Sequence, residues 1–169
     1  MGFARSGEPV LTPLRWGSMD EHANRPDRKS IPWDAHVFGW GPMVPFLVAL
    51  FGVWVGPPWL DELALRLAVL WGASIVIFVS GVRRGFSFAQ PEGPRPHVLA
   101  EMLGLFSAAF LGLVLVPPLG ALVLAGAFAA LTVLDTLAAR RGDAPRWFAR
   151  LRPVQMAIPA VCLAVLAFV

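Results

Sequence analysis

Five apolar blocks follow a polar N-terminal segment. They cover residues 37–56, 63–82, 98–116, 119–139 and 154–169. A bilayer core about 30 Å thick needs roughly 20 helical residues, so four blocks have the length of a span and the fifth is short. Strands of a membrane barrel would instead alternate polar and apolar residues over about ten positions. The pattern therefore predicts an all-α polytopic membrane protein, a bundle of five transmembrane helices.

The segments outside the blocks are polar or rich in proline. Residues 1–35 show no period and predict a flexible, disordered cytoplasmic tail, which leaves 36–169 as the membrane domain. Pro57-Pro58 predicts a turn after the first helix, and Pro117-Pro118 predicts a tight hairpin between the third and fourth helices. Two longer polar loops are predicted at 83–97 and 140–153.

Basic residues alternate between the two ends of the predicted helices. The tail holds five, the next connections hold none, three and none, and the last connection holds five. The positive-inside rule then predicts a cytoplasmic N-terminus and a periplasmic C-terminus. Arginine makes up all but one of the basic residues, which suggests a GC-rich bacterial gene and hence a bacterial inner (plasma) membrane.

Composition excludes several other classes of protein. Hydrophobic residues make up 57% of the chain and charged residues 15%, against about 25% charged residues in soluble domains. The net charge of +3 does not indicate nucleic-acid binding, because the arginines lie between apolar blocks rather than on one face. One cysteine, Cys162, forms neither an internal disulfide nor a cysteine-based zinc site.

Motifs of catalysis and cofactor binding are missing from the sequence. It contains no Gly-rich phosphate loop, nucleophile elbow or HExxH motif. The histidines are His22, His36 and His97, and they do not provide two ligands from different helices at one depth. We therefore expect a protein that is not an enzyme and has no metal or other cofactor.

Four charges of both signs are predicted at similar depth near the cytoplasmic side. Arg83 and Arg84 close the second helix, Glu101 lies one turn into the third, and Asp135 lies about one turn before the end of the fourth. Unpaired charges in lipid are expensive, so pairing between helices is expected. A structural clamp is the plainest interpretation. A proton or ion step, or an anionic ligand held by the arginines, stays open.

Small residues form seams on which helices can approach closely. One seam joins Glu101, Gly104, Ala108 and Gly112, another joins Ala64, Ala68 and Gly72, and Gly52 and Gly56 form a GxxxG pair. These seams favour packing within the bundle or against a partner. The loop around 142–153 is the expected contact surface for a protein or for anionic lipid headgroups. Its candidate residues are Pro145, Arg146, Trp147, Arg150 and Arg152.

Three segments together resemble one family. Residues 39–46, reading GWGPMVPF, resemble the opening block of the transmembrane protein 69-like family, otherwise called the domain of unknown function 3429. Residues 77–85 and the run APRWF at 144–148 resemble two further blocks, with departures at Arg84, where the family usually has Trp, and Phe148, which replaces Tyr. The resemblance covers about residues 37–165. It implies five predicted spans and no reaction, and it draws attention to Arg83, Asp135, Trp147 and Arg152.

The leading functional prediction is a non-enzymatic accessory, assembly or scaffold protein. It would bind a membrane-protein complex or a second copy within the lipid bilayer, and no nucleic acid. The alternative is a small ion-coupled transporter that uses Glu101 and Asp135. A third hypothesis is an enzyme that acts on lipid at the cytoplasmic charges.

Overall fold

The computed structural model describes residues 39–88, 96–140 and 146–169. The chain divides into two units, Met1–Ile31 and Pro32–Val169, and the described residues belong to the second. The predicted tail, 1–35, lies outside the described residues, so its boundary and flexibility stay predictions.

The described part of the chain is all-helical. A 3-10 turn, Gly41–Met43, comes first. The five α-helices after it are α1 Val44–Val55, α2 Trp59–Phe88, α3 Pro96–Val114, α4 Pro117–Arg140 and α5 Arg146–Leu166. Three segments are long and apolar enough to cross a membrane, namely Trp59–Gly85, Pro96–Val114 and Pro117–Ala138. The shorter apolar helices are Gly41–Val55 and Arg152–Leu166. The helical class is confirmed, whereas the count of five spans stays a prediction.

Two of the predicted loop boundaries are wrong. Helix α2 continues past Arg83 to Phe88, and α5 begins at Arg146, so most of the predicted loop 140–153 is helical. A helix satisfies its backbone internally, and a charged residue does not end it when its side chain has a partner. Pro117 and Pro118 open α4 instead of forming the turn, because the first turn of a helix tolerates residues without an N–H.

The 3-10 turn before α1 follows from Pro45. This proline has no N–H to donate to the carbonyl of Gly41, and that carbonyl accepts the N–H of Val44 instead, which closes a tighter turn. The next carbonyl, that of Pro42, accepts a hydrogen bond from the indole Nε1 of Trp71 on α2 at 2.9 Å. Trp71 thus ties the beginning of α1 to the middle of α2.

Replacing Trp71 with phenylalanine removes this hydrogen bond and keeps an aromatic ring. We expect the free energy of unfolding to fall by about 1 kcal/mol, measured by thermal or denaturant unfolding in detergent. Trp54 is the matched control, because it is 76% exposed. Trp54→Phe should leave stability almost unchanged, and equal effects of the two changes would contradict the role given to the indole hydrogen bond.

Helices α2 and α4 pack against each other, and each also contacts α3 and α5. The α2 seam of Ala64, Ala68 and Gly72 is buried inside the bundle. A β-carbon at Gly72 would touch Leu124 and Phe128 of α4 and Leu163 of α5, each at about van der Waals distance. The same Phe128 ring meets Phe46 of α1 edge to face, with centroids 5.8 Å apart. Small residues on α2 therefore let two neighbouring helices approach it.

Helices α3 and α4 approach closely at a pair of glycines. Gly112 lies near the end of α3 and Gly120 in the first turns of α4, and both are buried. A β-carbon at Gly120 would lie 2.2 Å from the carbonyl oxygen of Gly112, far inside contact distance. The short connection between these helices thus depends on backbone-to-backbone packing, which holds α3 and α4 together as a hairpin.

Candidate functional site: a buried charge cluster

Arg83 of α2 bridges carboxylates from two other helices. Its Nη1 donates a hydrogen bond of 2.7 Å to Oδ1 of Asp135 on α4, and its Nη2 donates one to Oε2 of Glu101 on α3. Arg152 of α5 places its Nε 3.5 Å from the other oxygen of Asp135, Oδ2. These four residues, Arg83, Glu101, Asp135 and Arg152, are the charge cluster. It joins α2, α3, α4 and α5.

The cluster is buried and electrically balanced. Asp135 has 4% of its side chain exposed, Arg83 has 13%, Arg152 has 19% and Glu101 has 20%. Two positive and two negative groups cancel, so no net charge is withdrawn from water. An isolated charge at such a position would cost several kcal/mol, whereas a paired one is tolerated. Arginine suits the central position because its planar fork reaches two carboxylates at once.

Two neutral polar residues flank the cluster at helical spacing. Ser80, one turn before Arg83, is buried and donates a 2.7 Å hydrogen bond to the carbonyl of Ile77. Gln155, one turn after Arg152, is 2% exposed. A β-carbon at Gly39 would lie 2.2 Å from Nε2 of Gln155. Glycine at position 39 therefore provides the space for the buried amide.

The cluster contains a residue that the sequence interpretation assigned elsewhere. Arg83, Glu101 and Asp135 come together, but Arg152, expected in a contact loop, joins them from inside α5. Gln155 was not singled out, although it is the one amide within the last apolar block and follows Arg152 by a helical turn. That spacing marks a polar stripe at the start of α5. Arg84 is half-buried on α2 and is also partnered.

The remaining predicted contact residues are mostly beyond what the structure describes. Pro145 lies outside the described residues. Arg146, Trp147 and Arg150 belong to the first turns of α5, and their side chains lie outside the described part. Their role as a contact surface stays a prediction.

The residues of the predicted small-residue seams differ in burial and in the contacts they make. Gly112 packs inside the bundle, whereas Gly104 on the same seam is exposed with open space around it. Gly56 donates its N–H to the carbonyl of Gly52 at 2.7 Å, and a β-carbon there would collide with Leu60. The GxxxG pair therefore closes the turn between α1 and α2.

The chemistry open to the described residues is limited. Within ranges 39–88, 96–140 and 146–169, no group of three or more His, Cys, Asp or Glu could hold a metal ion. Both carboxylates of the charge cluster accept hydrogen bonds from Arg83. Thr132, which precedes Asp135 by one turn, bonds the carbonyl of Phe128 in its own helix at 3.0 Å rather than the cluster.

An open cleft of about 330 Å³ lies at the opposite end of the bundle from the charge cluster. It is lined by apolar side chains and two carboxylates: Val53, Asp61, Glu62, Leu65, Pro117, Pro118, Leu166 and Val169. Glu62 pairs with Arg66 one turn along α2 at 2.6 Å, as the i,i+4 spacing implies. The acidic residues begin α2, where negative charge is favourable to the helix dipole.

Comparison with known proteins identifies a family. A family described as Protein of unknown function (DUF3429) matches residues 31–168. No curated protein and no solved structure matches the chain significantly. The match confirms the resemblance to the domain of unknown function 3429, and the name transmembrane protein 69-like stays a prediction.

Proposed function

This chain belongs to the DUF3429 family, and from its geometry we propose that the protein is a non-enzymatic accessory, assembly or scaffold protein of a membrane. The family itself is described as having no known function. The bundle would serve as a rigid platform for a larger membrane-protein complex. One observation carries the proposal. The hydrogen bonds of Arg83 to Asp135 and Glu101 join α2 to α4 and α3. We take the charged residues for which the sequence left a proton or ion step open to be a clamp between helices.

The packing between the two ends of the bundle supports a scaffold role rather than a pathway for ions. Fully buried apolar side chains fill the space between the charge cluster and the cleft: Val76, Leu124, Phe128, Leu131, Met156 and Leu163. Protein interiors are closely packed, so an ion crossing the bundle would have to displace these side chains. A static helix bundle needs no such opening.

The proposal includes five spans with a cytoplasmic N-terminus in a bacterial inner membrane. The alternation of basic residues supports this orientation. Two contacts support α1 and α5 running side by side in the same direction. Gly39 lies against Gln155 at the cluster end, and Val53 shares the cleft with Leu166 at the other end. The first and the last of an odd number of spans cross the membrane in the same direction, so this arrangement is consistent with five spans.

The test is affinity purification of a tagged full-length copy from its own membrane in a mild detergent. The expected result is stoichiometric recovery of a membrane complex identified by mass spectrometry. A variant with Arg146→Ala and Trp147→Ala should lose that complex if the predicted contact surface binds it. The matched control, Glu62→Gln at the other end of the bundle, should retain it. Recovery of the protein alone from native membranes would contradict the proposal.

A second candidate is an ion-coupled transporter, and the exposure of Glu101 favours it. Its side chain is 20% exposed, against 4% for its neighbour Asp135, so a proton could reach it from one side. This function predicts a flux in proteoliposomes that Glu101→Gln abolishes while the thermal unfolding transition survives. A stable variant with no flux change would exclude the transporter.

A further inference from the structure

Two exposed tryptophans bracket the first helix of the bundle. Trp40 precedes the 3-10 turn and is 38% exposed, and Trp54 lies near the end of α1 and is 76% exposed. Tryptophan favours the membrane–water boundary, where its ring is apolar and its N–H is wet. Fourteen residues separate the two rings in sequence, which in helical geometry is about 22 Å along the axis. The hydrocarbon core of an ordinary bilayer is about 30 Å thick.

Helix α5 has the same short apolar length. Its apolar part, Arg152–Leu166, runs from a residue of the charge cluster to a residue of the cleft, which is about 21 Å in helical geometry. Helices α1 and α5 pack against each other, so the two short helices form one side of the bundle. This side has exposed apolar residues along its length, including Val48, Phe51 and Val161.

The other helices are longer. The apolar part of α2 has 27 residues, that of α4 has 22 and that of α3 has 19, which correspond to about 40, 33 and 28 Å. A helix longer than the bilayer can tilt, whereas a shorter one is accommodated by thinning of the bilayer, by snorkelling of flanking residues or by oligomerisation. The bundle therefore presents two different hydrophobic lengths to lipid.

We infer that the α1/α5 side is an interaction surface for phospholipids with short acyl chains, and that it thins the bilayer locally. Trp40 and Trp54 set the thickness by anchoring at opposite interfaces. The inference rests on the proposed five-span arrangement, because α1 and α5 must cross the membrane for their length to matter. The partner is the lipid itself, identified by chain length rather than by headgroup.

The test measures thermal unfolding of the full chain in nanodiscs of phosphatidylcholine. The monounsaturated acyl chains have fourteen, eighteen or twenty-two carbons. We expect the highest Tm with the shortest chains and a fall of about 5 °C or more with the longest. In the double variant Trp40→Leu and Trp54→Leu, apolar side chains remain without the anchors, and the dependence on chain length should shrink by at least half.

A second measurement separates this inference from the topology on which it rests. Trp40→Cys and Trp54→Cys are labelled singly in sealed vesicles with a thiol reagent that does not cross the bilayer, while buried Cys162 stays unlabelled. Labelling from opposite sides, with a Tm maximum at eighteen carbons or no maximum, overturns the thin-bilayer inference and leaves the five spans standing. Labelling of both positions from one side overturns the five spans.

Discussion

Replacing Arg83 with methionine is expected to lower the free energy of unfolding by about 3–5 kcal/mol. The change removes both hydrogen-bonded ion pairs from the charge cluster and keeps an unbranched, though shorter, apolar side chain. Asp135 keeps the longer contact with Arg152, and Glu101 loses the guanidinium that binds it. Denaturant or thermal unfolding in detergent measures the effect.

Two further variants distinguish the clamp from a general effect of changing an arginine. Arg83→Lys keeps the charge but has no planar guanidinium to bind two carboxylates, so it should lower the free energy of unfolding by an intermediate amount. Arg66→Met is the matched control, since the pair with Glu62 is exposed and worth at most about 1 kcal/mol. If Arg83→Met were no more destabilising than Arg66→Met, the cluster would not be a clamp.

Gly120→Ala is the second large effect, and it is expected to lower the free energy of unfolding by about 3 kcal/mol, the upper end of the usual cost of overpacking. The new methyl group would lie 2.2 Å from the backbone oxygen of Gly112, and a backbone atom cannot move aside as a flexible side chain can. The helices α3 and α4 would have to separate, which weakens the hairpin. Thermal unfolding measures the loss, and proteolysis of the connection between the two helices reports their separation.

The same helix provides a matched control. Gly126 is exposed, and a β-carbon there would meet no other atom within 4 Å. Gly126→Ala should be neutral or stabilise the protein by up to about 1 kcal/mol, because alanine is the better helix former. Similar losses at positions 120 and 126 would show that close approach to Gly112 is not what makes position 120 sensitive.

The apolar blocks and the depth of the charges could be predicted from the sequence. Counting residues from the block ends puts Arg83, Glu101 and Asp135 at one level, and pairing then follows from the cost of unpaired charge in lipid. Arg152 could not be assigned this way. It stands among polar residues that signal a loop, and α5 continues through them because Arg152 finds Asp135 on another helix, which is a tertiary contact.

Close approach was also beyond prediction from local pattern. Gly104, Gly112 and Gly120 look alike in sequence, yet only the last two lie against backbone or side chains of a neighbouring helix. Which glycine is critical depends on how far α3 extends before its turn and on where α4 begins. Pro117 and Pro118 determine where α4 begins, because they form its first turn. From the sequence, the proline pair predicted a turn between the helices and not the start of α4.

The order of the cluster's charges along the chain bears on the cost of placing its helices in lipid. Helices α2 and α3 bring Arg83 and Glu101, and α4 and α5 bring Asp135 and Arg152, so each consecutive hairpin contributes one positive and one negative group. Each of these two pairs lies within one hairpin, so neither group depends on the other hairpin for its partner. The charges of each pair cancel once both helices of its hairpin are present, which lowers the cost of placing these two groups in lipid. The contact between Arg83 and Asp135 joins the two hairpins to each other.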